Sequence, residues 1–78
     1  MAKNKRLNVY FLINEGVHLL DLAGPVQAFH EASKMGADIV INYVGFEEKF
    51  LSHQGLYLNN ISQPPKEVAS QSIVIVSS

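Results

Sequence analysis

An acid stands where a first strand hands over to a first helix. Leu20-Asp21-Leu22-Ala23-Gly24-Pro25 follows closely on the apolar run Leu7 to Ile13, and that turn is where open α/β sheets build their binding crevices. Glu15 and His18 share the same stretch. A carboxyl group there can orient a nucleophile or hand protons to a substrate. An imidazole three residues earlier can line the same crevice, and Glu15 can add a second acid to it. Asp21 has another chemistry open to it: a carboxylate beside Gly24 and the neighbouring amides accepts their hydrogen bonds and caps the helix. The two roles are compatible. Glu15 and His18 read equally well as ordinary exposed loop residues.

Other chemistries are excluded. With no cysteine there is neither a thiol nucleophile nor a disulfide framework. Ser52, Ser77 and Ser78 lack the Gly-x-Ser-x-Gly elbow that activates a serine. Gly16 and Gly24 do not form the Gly-x-Gly-x-x-Gly dinucleotide fingerprint. His18, His30 and His53 stand apart in the sequence with no acid at ligand spacing, so no metal and no cofactor is expected. His30 reads as a helix-flank residue and His53 as a solvated turn residue. Tyr10, Tyr43 and Tyr57 read as strand residues that pack their rings and leave their hydroxyls to water.

The elements that must hold these groups follow from periodicity. Leu7 to Ile13 is β-branched and aromatic and apolar on both alternate faces, as in a strand covered above and below. Asn14-Glu15-Gly16 breaks it. A helix is expected over 25–35, with Gly24 near its N-cap, Pro25 in first position and Gly36 as its stop. Val26, Phe29 and Ala32–Ser33 mark one face of it; Gln27, Glu31 and Lys34 mark the other. A second strand over 38–44 completes a βαβ unit with a right-handed crossover. Phe50-Leu51-Ser52 and Leu56-Tyr57-Leu58 flank His53-Gln54-Gly55 as a short hairpin. One helical turn is expected at Lys66 to Ala69. Ile73 to Val76 has no polar face and suits a central parallel strand.

Composition sets the outer bounds. Seventy-eight residues make one domain at most, and chains near that size bury only about 60% of their unfolded surface. An apolar content of 47% excludes disorder. Six basic and seven acidic residues leave a net charge of −1 with no basic stripe, so this segment is not expected to contact nucleic acid. Lys3, Lys5 and Arg6 read as a solvated basic tail over 1–6. No apolar run approaches the ~18 residues that span a membrane, and no secretory leader pattern follows the basic start. A cytoplasmic location and no membrane partner are expected.

Taken in order, the strand, Gly16, Leu20-Asp21-Leu22-Ala23-Gly24-Pro25, the helix, the second strand, Ser52-x-x-Gly55-Leu56-x-Leu58 and the last apolar strand resemble the start of the ThiJ/PfpI, or class I glutamine-amidotransferase-like, superfamily. The branch they are most similar to is the amidase-like N-terminal domain of AraC-type transcriptional regulators, with stand-alone relatives such as isonitrile hydratase. The resemblance covers about 7–78. It implies a flavodoxin-like α/β/α parallel sheet, here its N-terminal portion with a short β-hairpin insertion. Family enzymes carry a nucleophilic cysteine on an elbow after the strand matching Ile73 to Val76, with an acid at the position of Asp21 beside it. Only Asp21 carries over to this chain; Ser77-Ser78 stand where a Pro-Gly-Gly turn commonly begins. No activity is therefore expected of this chain alone.

The resemblance leads to one reading and two rivals. In the first, the chain is a fragment of the ligand-binding, dimerising sensor domain of an AraC-type regulator. Its ligand is an unknown small molecule, and DNA is bound only through a helix-turn-helix domain outside this chain. The second is the front part of an isonitrile hydratase-like or amidase-like cysteine enzyme. The third is a degenerate structural or interaction protein. Strands apolar on both faces, with one substantial helix to cover them, lead to the expectation of a homo-oligomer.

Overall fold

Leu7–Leu12 forms strand β1, with parallel neighbours on both sides. In this computed structural model, which describes residues 6–68 and 71–76, β1 pairs with β2 (Ile39–Val44) and with β5 (Ser72–Val76) in the order β2-β1-β5. Val9 lies between Ile41 and Ile73, and Phe11 between Tyr43 and Ile75. Side chains alternate across a strand, so Val9 and Phe11 share one face with Ile41, Tyr43 and Ile75. Helix α1, Leu19–Lys34, covers that face through Leu22, Val26 and Phe29. Ile13, Val17 and Phe50 close the core at the carboxyl end of β1. Phe11 sits at its centre, edge-on to Phe29 at 6.1 Å and stacked on Tyr43 at 6.0 Å.

The opposite face of the sheet is another matter. Val74 and Val76 are 54% and 63% exposed, and Phe46 beyond β2 is 74% exposed. Among the described residues β5 pairs only with β1, so it is an edge strand and not the central one expected. The central place falls to β1, which both other strands use as their template.

The helix also departs from expectation. It starts at Leu19, six residues before Pro25, and runs through the proline. Leu22 is the reason: with Val26 and Phe29 it completes an i, i+4, i+7 apolar face against the sheet. Burying that extra turn outweighs the poor helix propensity of Gly24 and Pro25. Pro25 has no N–H to give the Asp21 carbonyl, and Asp21 is exposed, where water can serve it. The far end stops as expected. Gly36, at φ +111°, follows the C-cap Met35. Its N–H bonds the Ser33 carbonyl while the Ala37 N–H bonds that of Ala32, both at 3.1 Å, the paired pattern that a left-handed glycine permits.

After β2 the chain turns at Gly45, where the Phe50 ring lies so close that a Cβ would come within 2.6 Å of it. Strands β3 (Phe50–Leu51) and β4 (Tyr57–Leu58) form the expected antiparallel hairpin. Its turn is tied by the Ser52 N–H to the Leu56 carbonyl at 2.7 Å and by the Leu56 N–H to Ser52 Oγ at 3.0 Å. Ser52 is buried and structural. Ser62 then bridges to Val44 along the outer edge of β2. The helical turn expected at Lys66 to Ala69 is not seen over its described residues, where Lys66 and Glu67 make a bend. Ala69, Ser77, Ser78 and the basic tail before Arg6 lie outside the described residues. No helix among the described residues is long and apolar enough to cross a membrane.

Candidate site at the carboxyl end of β1

Beyond Leu12 the chain continues its pairing for one more residue, the Ile13 N–H bonding the Val44 carbonyl at 2.8 Å. Val17, fully buried, then plugs the loop into the core and holds residues 14–18 across the mouth of the sheet. The hairpin is bonded onto this loop. The Gly16 N–H donates to the Leu51 carbonyl at 2.9 Å, and the His53 N–H donates to the Val17 carbonyl at 2.8 Å. The two segments together form the rim of the crevice.

Each residue singled out from the sequence lies on or beside this rim. Glu15 Oε1 accepts the Leu51 N–H at 3.4 Å, so this carboxylate helps fasten the hairpin. His18 is the N-cap residue of α1, extended at φ −84° and ψ 121°, with no side-chain capping bond. Its ring stacks on His53, centroids 4.1 Å apart and planes 22° from parallel. Asp21 lies in the first turn of α1, exposed, where a negative charge suits the positive end of the helix dipole. It is therefore inside the helix and is not the cap of a helix opening at Gly24. No hydrogen bond or ion pair links Glu15, His18 and Asp21 to one another among the described residues.

Two rim residues have partners that the sequence does not announce. Gln54 Oε1 accepts the Leu19 N–H at 3.0 Å, supplying from the hairpin the cap that His18 does not provide. His53 is exposed as expected but engaged with His18. Neither partnership leaves a local signal, since the partners are 35 residues apart. His30 is exposed on α1. Tyr57 is exposed with Lys49 Nζ 4.9 Å above its ring. Tyr43 faces the core, and burial raises its phenol above the ordinary value of 10.0.

Beside the rim, a groove of about 290 Å³ opens between α1 and the hairpin. Ile13, Leu22, Tyr43, Tyr57 and Leu58 give it apolar walls, and Asn59 and Asn60 give it a polar lip. Asn60 holds φ +61°, a conformation asparagine accepts more readily than most residues. On the other face of the sheet a more polar hollow of about 410 Å³ is lined by Tyr10, Asn42, Asn60, Ser62 and Gln63. The rim can offer a ligand two imidazoles, two carboxylates and an amide; the groove can take a small apolar body. No group of three or more histidine, cysteine, aspartate or glutamate side chains is placed to hold a metal among the described residues.

The architecture is that of an α/β protein built on a parallel sheet. It is similar to the crystal structure of an AraC family transcriptional regulator from Pseudomonas putida, with a TM-score of 0.79. The match covers 91% of this chain and 46% of that one, at 16% sequence identity. At that identity the likeness shows the fold alone, and the chain spans about half the regulator's length. No protein-family model matches the chain, and no curated protein matches it either.

Proposed function

We propose that this chain is the N-terminal portion of a flavodoxin-like, ThiJ/PfpI-type domain that serves an AraC-type transcriptional regulator as its ligand-binding, dimerising sensor. The observation that carries the reading is the fold match over nine-tenths of this chain to half of an AraC family regulator. The order of motifs around Asp21 and Gly55 supports it. In this reading the crevice beside Asp21, His18 and Glu15 takes a small cytoplasmic molecule. The groove between α1 and the hairpin takes its apolar part, and DNA is bound by a helix-turn-helix domain outside this chain. A cysteine hydratase or amidase of the same superfamily is the second reading. It is favoured by the Asp21 carboxylate, which stands exposed at the crevice and makes no hydrogen bond or ion pair among the described residues.

The experiment is to read the coding sequence downstream of Ser78. An elbow without cysteine followed by a basic helix-turn-helix supports the sensor. An elbow with cysteine followed by a stop supports the enzyme, and a stop directly after Ser78 supports a stand-alone interaction protein. In the parent, Asp21→Asn separates a site role from a structural one. Ligand response should be lost while the melting temperature stays within the shift expected for about 1 kcal/mol.

A further inference from the structure

Strand β2 pairs with β1 on its inner side only. There β1 engages every second residue: the Leu7 N–H bonds the Asp38 carbonyl, and the Ile13 N–H bonds that of Val44. The residues between them turn their N–H and C=O groups outward, since these groups alternate sides along a strand. Ser62 meets part of that outer edge. Its N–H bonds the Tyr43 carbonyl at 3.1 Å, and its carbonyl takes the Gly45 N–H at 2.9 Å. The Ile41 carbonyl and the Tyr43 N–H are left without a partner among the described residues. An acceptor and a donor thus stand two residues apart on one edge, and both residues line the polar hollow of about 410 Å³.

Side chains around this edge add neutral hydrogen-bonding groups. Asn42 donates from Nδ2 to the Val9 carbonyl at 3.4 Å, which fixes its carboxamide beside Tyr10, its register partner. Asn60 and Gln63 bring two more carboxamides, and neither makes a side-chain hydrogen bond among the described residues. Asn60 holds its φ of +61° next to Ile61, whose N–H is bonded to the Glu48 carbonyl at 3.1 Å. Pro64 restricts Gln63 to extended backbone. No charged side chain lines the hollow. An ion entering it would lose its water with no countercharge in exchange. A neutral ligand with a donor–acceptor edge exchanges water for bonds of the same kind.

We propose that this hollow is a second ligand site, separate from the crevice beside Asp21, which binds a neutral nucleobase of the adenine type through the outer edge of β2. A ring nitrogen of the base accepts the Tyr43 N–H, and the amine beside it donates to the Ile41 carbonyl. Its other edge meets the carboxamides, a group that pairs bidentately with adenine. Tyr10 supplies an aromatic ring to the same hollow, and such rings favour flat bases. The volume lies within the ordinary range of small-molecule sites.

Adenine is the probe, titrated into the full chain and followed by amide resonances. The Tyr43 N–H and the side-chain amides of Asn42, Asn60 and Gln63 should shift together, with a dissociation constant of about 0.1–1 mM for so small a ligand. The amides of Gly16 and Asp21 should stay in place. Dimethyladenine, whose amine has no hydrogen to give, should bind about tenfold more weakly. Phenol, flat but without the paired edge, and ribose should move none of these signals. Gln63 is exposed, so Gln63→Ala should fold as the native chain does and weaken adenine about fivefold. A still Tyr43 amide, shifts confined to Gly16 and Asp21, equal affinity for dimethyladenine, or native affinity in Gln63→Ala would each overturn the site. So would a Tyr43 shift that follows protein concentration without adenine, since it would give the edge to a second copy.

Discussion

Gln54 caps helix α1 from 35 residues away, its Oε1 accepting the Leu19 N–H at 3.0 Å. The residue in the N-cap position, His18, makes no such bond, so the hairpin turn completes a helix to which it is not adjacent in sequence. Hairpin, loop and first helical turn are one unit for that reason. Replacing Gln54 with alanine should cost about 0.5–1.5 kcal/mol, the worth of an ordinary hydrogen bond. Gln54→Glu should restore it, because a carboxylate both accepts the bond and suits the helix dipole. Urea midpoints of the three proteins measure the difference, and identical midpoints would remove Gln54 from the cap.

Phe11 is the centre of the core, fully buried between Phe29 and Tyr43. Phe11→Ala should lose about 3–5 kcal/mol through the removed ring and the cavity it leaves. Small domains hold only about 5–15 kcal/mol in total. Far-ultraviolet circular dichroism should therefore show a chain near its folding threshold, with Phe11→Leu in between. A loss below about 1 kcal/mol would mean that this packing is not the native one.

Pro25 sits in the interior of α1, where it withholds a donor from the Asp21 carbonyl. Pro25→Ala should stabilise the chain by about 1–2 kcal/mol. That is less than the ~3 kcal/mol propensity difference, because alanine also frees the unfolded chain. Thermal unfolding measures it. A destabilised Pro25→Ala protein would instead show that the proline's restriction of the unfolded chain outweighs the missing bond.

Burial holds the Tyr43 phenol above its ordinary value, and the sign of the consequence follows. The unfolded phenol ionises first, near pH 10. The neutral-phenol contribution is therefore whole below that pH and declines as alkali favours the unfolded phenolate. Denaturant midpoints should fall as pH rises past about 10, and Tyr43→Phe should flatten that limb while leaving midpoints near neutrality close to native. An equal alkaline fall in both proteins would place the cause elsewhere.

The sheet face away from α1 carries the exposed Val74 and Val76 on an edge strand with no charge or proline among its residues. At low micromolar concentration the chain is expected to sediment as a dimer or larger assembly. Val74→Lys with Val76→Lys should shift it toward 8.6 kDa. A compact native monomer that unfolds cooperatively would refute this association.

Much of the fold is legible in the residues because its causes are local. Leu7 to Ile13, Asp38 to Val44 and Ile73 to Val76 are β-branched runs, and their strands lie within a residue or so of the expected bounds. Gly36 stops the helix through its own φ. The hairpin about His53-Gln54-Gly55 needs only a few neighbouring residues. The start of α1 is not legible in the residues because Gly24-Pro25 is a strong local breaker, and only the sheet beneath Leu22 makes the extra turn favourable.

Of the candidate site, the sequence by itself determined that Glu15, His18 and Asp21 would stand at the carboxyl end of β1, since chain order alone puts the strand-to-helix loop there. It also determined that no thiol accompanies them. The tertiary structure decided what those residues do. It put Glu15 on the hairpin amide, His18 against His53 and Asp21 inside the first helical turn, and it recruited Gln54 as the cap. Backbone preference is written within a few residues, whereas a partner 35 positions away exists only after packing of Val17 and Phe50 has brought loop and hairpin together.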